Sequence, residues 1–213
     1  MVQTIQAQDV TLNHLRSQFG LQYTEAEQFF REWQDELPQV SELEKQVLER
    51  IKSNYLNLIE YPPMLENAVK MVVLSPLLDL AGFYQRPFRI SVEKSVELIS
   101  EDEGTIVKGK IDVLVLQEQL WILIIEAKKA QFSLEPGIPQ ALAYMMDNPN
   151  PEKPSFGLVT NGSNFIFIKL VKQDTPVYAL SDEFTLRRAN DLYSVLRVLK
   201  KLGGEHVTFA SPR

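Results

Sequence analysis

Six consecutive apolar residues, 120–125 (LWILII), constrain the fold of this chain more than any other stretch. The run is far shorter than the ~20 residues needed to cross a bilayer, and it reads as a β-strand that is apolar on both faces. Such a strand needs a covering layer on each side, and the common solution is a sheet flanked by helices. The run ends in Glu126, Ala127 and Lys128. Charged groups at the margin of a core cost free energy unless something compensates them. Either the strand simply surfaces there, or the charges are kept at that position for chemistry.

Composition removes several classes of chemistry. The chain has no cysteine and only two histidines, His14 and His206, so disulfides, thiolate metal sites and cysteine nucleophiles are excluded and a histidine-rich zinc site is disfavoured. Its 213 residues suffice for one large domain, or for a domain with a helical extension. The net charge of −6 argues against non-specific coating of nucleic acid. It is compatible with a local basic groove, and with a site whose acids are covered by metal ions. The opening MVQTIQAQDV has neither the basic start nor the apolar run of a secretion signal. A cytoplasmic protein with no membrane span is the expectation.

Residues 1–60 read as a helical extension. Thr24 with Glu27, and Ser41 with Glu44, have the spacing of capping boxes, and Leu43, Val47, Ile51 and Tyr55 recur at helical spacing. Residues 61–213 read as the main domain. A helical block over 63–81 contains Pro76, which predicts a kink, and ends at Gly82. Extended segments follow at 88–98, 105–116 and 120–129, joined by turns at 101–104 and 117–119. Pro139 is placed to start a helix through Met146, and residues 148–154 (NPNPEKP) form a loop. Residues 156–170 read as a hairpin, with Asn161 and Gly162 in a tight primed turn. The last helix is predicted to begin near Ser181, to present Leu192, Val195, Leu196, Leu199 and Leu202 on one face, and to stop at Gly203. There is no glycine-rich phosphate loop.

Side-chain direction ties the charges together. Successive strand residues point to opposite faces, so Glu126 and Lys128 share a face and Ala127 opposes them. Asp112 is the one acid inside the strand segment KIDVLVL. Asp112 and Glu126 lie at equal distance on either side of Gln119, so antiparallel pairing about a short turn would set them nearly opposite. Two carboxylates that close repel unless a cation sits between them. A hard, oxygen-seeking ion such as Mg²⁺ suits that position, with Mn²⁺ as a substitute. A lysine beside the ion would hold or activate a water, or neutralise charge building on a phosphoryl group. That is equipment for metal-assisted hydrolysis.

The order of these pieces resembles the PD-(D/E)XK nuclease superfamily. GKID, followed at strand distance by EAK, is similar to its D-x(n)-E-x-K pattern. LENAVKMVVLSPLLDLAGF (65–83) resembles the glutamate-bearing helix of the N-terminal nuclease domain of type I restriction enzyme R subunits. QALAY (140–144) sets Gln140 and Tyr144 one helical turn apart, like the Q-x-x-x-Y of that domain, and GLVTNGSNFIF (157–167) looks like its TNG hairpin. The resemblance implies a restriction-endonuclease-like α/β core, with a central mixed sheet flanked by helices. It implies that Asp112 and Glu126 ligate the metal together with the Ala127 carbonyl, and that Lys128 positions the attacking water. It further implies that Glu66 approaches the metal or its waters, and that Gln140 and Tyr144 orient the lysine or contact the DNA backbone. DNA is then the partner, with a second copy of the chain or a restriction subunit as further candidates. Ile111 stands where the family name has proline, and the helicase motor of the R subunits is absent from these residues, so cutting coupled to translocation is not implied.

Other readings stay open at this point. The same fold would also serve a nucleic-acid-binding or assembly module that does not cut. Glu126 and Lys128 would be an ordinary charged pair if the strand merely surfaced there. Glu66 would favour a helix amino terminus without any catalytic role, and Tyr144 would close a core with its hydroxyl in water.

Overall fold

The apolar run folds, as its two faces require, as a strand inside a nine-stranded sheet. The computed structural model describes residues 3–62, 64–100, 104–117, 120–130 and 132–207. The chain begins with β1 (Gln3–Gln6), a 3₁₀ turn (Ala7–Asp9), α1 (Leu12–Phe19), β2 (Gln22–Tyr23) and α2 (Glu42–Ile59). Next come α3 (Glu66–Val69), a π-helical turn (Lys70–Leu74), α4 (Ser75–Leu80), β3 (Phe88–Ile99), β4 (Thr105–Gln117) and β5 (Leu120–Ala127). The remainder is α5 (Gly137–Met146), β6 (Ser155–Thr160), β7 (Asn164–Lys172), β8 (Pro176–Leu180), β9 (Phe184–Thr185) and α6 (Asp191–Val207).

The sheet runs β1-β4-β5-β6-β7-β8-β2, with β3 paired to β4 and β9 to β7. It is mixed: β1/β4, β5/β6 and β2/β8 are parallel, whereas β3/β4, β4/β5 and β6/β7 are antiparallel. Helices cover both faces. One core packs Leu48, Ile51 and Tyr55 of α2, with Val195, Leu196 and Leu199 of α6, against Val113, Val115, Leu123 and Ile125. The other packs Leu15 of α1, with Ala141, Leu142 and Met145 of α5, against Leu114, Ile124, Val159 and Ile166. Consecutive residues of β5 therefore feed opposite cores, which is why the run contains no polar residue. The expected mixed sheet flanked by helices is the one observed.

Several local expectations are corrected. Residues 1–60 are not wholly helical, because β1 and β2 are strands of the central sheet. Leu15 and Leu21 enter one core, while Leu48, Ile51 and Tyr55 enter the other. Strands this short leave no readable period. The Ser41–Glu44 capping box forms and starts α2, but the Thr24–Glu27 box does not. The Thr24 hydroxyl instead accepts the N–H of Ala26 at 3.2 Å, and residues 27–29 and 32–36 are turns. Pro76 produces a π-turn: it offers no N–H to the preceding turn, and the Ser75 N–H bonds back to the Lys70 carbonyl.

In the hairpin, Gly162 has a positive φ (84°) but Asn161 does not, so the expected primed turn is absent. Asn161 works through its side chain, whose Oδ1 accepts the N–H groups of Ser163 (3.0 Å) and Asn164 (2.8 Å). The last helix starts at Asp191, well beyond Ser181, because residues 184–185 pair with β7 and the Ser181 hydroxyl accepts the Phe167 N–H. Gly203 does not end it. A Cβ there would stand 3.0 Å from Phe83 Cε1, so this glycine permits close packing inside the helix. Pro63 and the turn residues 101–103 and 118–119 lie outside the described residues.

Gly109 of β4 marks how tightly the amino-terminal segment is joined to the sheet. A Cβ there would lie 2.5 Å from Ala7 Cβ and 2.8 Å from the Tyr144 hydroxyl. Gly109→Ala is expected to lower the unfolding free energy by about 1–3 kcal/mol, read as a lower urea midpoint at unchanged slope.

Candidate active site

The register of β4 against β5 sets the site. Val113, Leu114 and Val115 pair with Ile125, Ile124 and Leu123, so the next step along the ladder brings Asp112 opposite Glu126. The ladder slips between Val115 and Leu116, where a bulge lies between this segment and the turn. Asp112 Oδ2 accepts the backbone N–H of Ala127 at 2.8 Å, which fixes the carboxylate across the end of β5. Its other oxygen, Oδ1, accepts from Lys70 Nζ at 2.5 Å.

Glu126 and Lys128 share a face, as alternation requires, and Lys128 Nζ lies 2.9 Å from Glu126 Oε1. The same ammonium donates to Gln140 Oε1 at 2.6 Å. Gln140 Nε2 donates onward to the Tyr144 hydroxyl at 2.9 Å. Gln140 and Tyr144 meet because residues four apart on α5 stack on one face. Tyr144 is buried and bonded within the protein, so its hydroxyl does not end in water. Gly137 makes room for the lysine: a Cβ there would stand 2.6 Å from Val159 Cγ1 and 3.1 Å from Lys128 Cε.

Burial gives the site its electrostatics. The Glu126 side chain is 4% exposed and that of Lys128 17%. Glu126 Oε2 is buried without a hydrogen-bond partner among the described residues. Burial first, and the negative charge of Asp112 second, push the Glu126 carboxyl up to about 8, while Lys128 pulls the other way. Glu66, the first residue of α3, is near enough to add a smaller push in the same direction. Burial likewise raises the Tyr144 hydroxyl to about 12, so it stays protonated at neutral pH. Among the described residues no three acids or histidines form a ready-made cation cage.

The structure thus brings Asp112 from within β4, Glu126 and Lys128 from the end of β5, and Gln140 and Tyr144 of α5 into one connected group, with Glu66 close by. Lys70 is the member that sequence reading missed. One signal was present: Glu66 and Lys70 stand four apart in a helical block, the spacing of same-face neighbours. An open cleft of about 450 Å³ adjoins the group, and Lys70 and Asp112 line it together with Met71, Leu78, Tyr84 and Val92. No described helix is long and apolar enough to cross a membrane.

A carboxyl whose pKa is higher in the folded than in the unfolded chain stabilises the fold fully below its unfolded value, and this contribution is lost as pH rises through the folded value. For Glu126 that window runs from its ordinary 4.5 up to about 8. Metal-free protein is therefore expected to lose stability across this range, and Glu126→Gln, which does not titrate, to lose less. Urea midpoints measured for both proteins at intervals of pH check this. Parallel curves would contradict it.

Comparison with known proteins adds the family context. The family model for the type I restriction enzyme R protein N terminus matches residues 6–175. No curated protein matches. Among solved structures, the chain is similar to one in the cryo-EM structure of a DrdV–DNA complex, at 15% identity and a TM-score of 0.44, over 73% of this chain and 96% of that one.

Proposed function

The chain belongs to the family of the type I restriction enzyme R protein N terminus, and from that premise we propose that it is a metal-dependent DNA nuclease that hydrolyses phosphodiester bonds. The observation that carries this reading is the buried Glu126, with one oxygen unpartnered, opposite Asp112 and against Lys128. An acid held at a core margin beside a second acid is costly in isolation. A hard divalent cation, Mg²⁺ or Mn²⁺, would relieve that cost. The residues fit one: oxygen donors only, from Asp112, Glu126 and the Ala127 carbonyl, with waters and substrate oxygens completing the shell.

When bound, the ion would supply a water of lowered pKa and neutralise charge developing on the phosphoryl group. The protein's own residues do the rest. Asp112 is held in place by the Ala127 N–H on Oδ2, which fixes the direction of its other oxygen, Oδ1. Lys128 is anchored between Glu126 and Gln140, which gives its ammonium a defined direction for orienting the attacking water. Gln140 is oriented in turn by Tyr144, whose hydroxyl packs against Gly109 of β4. Gln140 and Tyr144 are positioning residues in this scheme, and Glu66 is placed to reach waters at the edge of the site.

Cleavage of supercoiled and linear DNA in Mg²⁺ or Mn²⁺ tests the proposal. Lys128→Ala is expected to slow cutting by about 100-fold or more, and Glu126→Ala to abolish it together with tight metal binding. Wild-type protein that binds the ion and the DNA but leaves the DNA intact would instead mark the chain as a non-cutting binding or assembly module.

A further inference from the structure

Lys70 has no part in the scheme above, yet it makes the shortest contact to Asp112 in the site, 2.5 Å from Nζ to Oδ1. Both side chains are largely buried, at 24% and 16% exposure. The two site lysines are held differently. Lys128 is fixed at two points, by Glu126 and by Gln140. Among the described residues Lys70 is held at Asp112 alone, and it begins the π-turn that Pro76 imposes. π-Turns inside helices recur where a side chain must be presented out of the ordinary helical register. Lys70 also lines the open cleft beside the site, so its ammonium has space to move into without unpacking either core.

The charges state the consequence. Without an ion, Asp112 is held by Lys70 and Glu126 by Lys128. A divalent cation arriving at the two carboxylates replaces both ammoniums as their counter-charge; Lys128 keeps its anchor on Gln140, whereas Lys70 has no second anchor among the described residues. We propose that Lys70 is a tethered placeholder cation. It occupies Asp112 Oδ1 in the metal-free protein, competes with the divalent ion for that oxygen, and swings into the cleft when the ion binds, where it meets the phosphodiester. This inference rests on the reading of Asp112 and Glu126 as metal ligands. It assigns Lys70 a role opposite in sign to a structural tie: removing it improves metal binding.

The test uses the full chain without DNA. Mn²⁺ affinity is measured from the electron paramagnetic resonance of the free ion for wild type, Lys70→Met and Lys70→Arg. Lys70→Met is expected to bind Mn²⁺ about tenfold more tightly, the scale of one charge-assisted hydrogen bond lost as a competitor, and Lys70→Arg to stay near wild type. Unchanged or weaker binding in Lys70→Met overturns the proposal, because a residue that only positions Asp112 would weaken the site when removed. A second measurement needs no variant. The ¹⁵N signal of the Lys70 ammonium is expected to lose its Asp112 partner on titration with Mg²⁺, and persistence of the metal-free signal at saturation overturns the proposal. Mn²⁺ bound by the wild type with the Lys70 predictions failing rejects this inference alone. Failure of wild type and both variants to bind Mn²⁺ rejects the metal site as well.

Discussion

The pairing of β4 with β5 is the constraint on which the site depends. Because the ladder runs antiparallel with Val113 opposite Ile125, two acids far apart along the turn are forced to face each other at its end. A slip of one residue would send Glu126 to the opposite face and separate it from Lys128's partners. The register is protected by what it buries: Val113, Val115, Leu123 and Ile125 fill one core while Leu114 and Ile124 fill the other. Exchanging those faces would disturb both cores at once. The bulge between Val115 and Leu116 takes up the irregularity on the turn side, so the segment next to the acids stays regular.

Around that frame, hydrogen bonds convert a costly cluster of charges into an ordered one. Each member is held by more than its chain neighbours: Asp112 by the end of β5 and by the π-turn, Lys128 by Glu126 of β5 and Gln140 of α5, and the neutral Gln140 by Tyr144. Glycines at two contacts let these elements approach. Gly137 leaves space for the Lys128 stem, and Gly109 leaves space for the Tyr144 hydroxyl. The exception is Glu126 Oε2, buried and unpartnered among the described residues. Buried polar atoms without partners are uncommon and point to strain or to a missing ligand. Here the raised carboxyl of Glu126 carries the same message, since burial and Asp112 together disfavour its charge.

The amino-terminal residues are part of this assembly. β1 extends the sheet beside β4, α1 and α5 share a core, and Tyr55 of α2 packs close to the β6–β7 hairpin, where a Cβ on Gly162 would stand 2.8 Å from its ring. The family match begins at residue 6, within β1, which agrees with a domain that includes this segment. α2 and α6 close the second face, where Arg197 donates to the carbonyls of Leu37 and Pro38 and Lys200 pairs with Glu44. Those contacts place cations of α6 in structural roles, near the edge of the cover.

By itself the sequence determined the two-faced strand, the shared face of Glu126 and Lys128, the equal spacing of Asp112 and Glu126 about the turn, and the stacking of Gln140 on Tyr144. All of these follow from periods of two or of about three and a half residues, which act over short distances and survive any packing arrangement. Tertiary structure alone decided the rest. Lys70 meets Asp112 across 42 residues of chain, and the Tyr144 hydroxyl is buried against Gly109 of β4 rather than in water. β1 and β2 are strands because they pair with β4 and β8, and α6 begins late because residues 184–185 pair with β7. In each case the deciding partner comes from a remote segment, and no local pattern encodes which remote group will fill a vacant hydrogen bond or balance a buried charge.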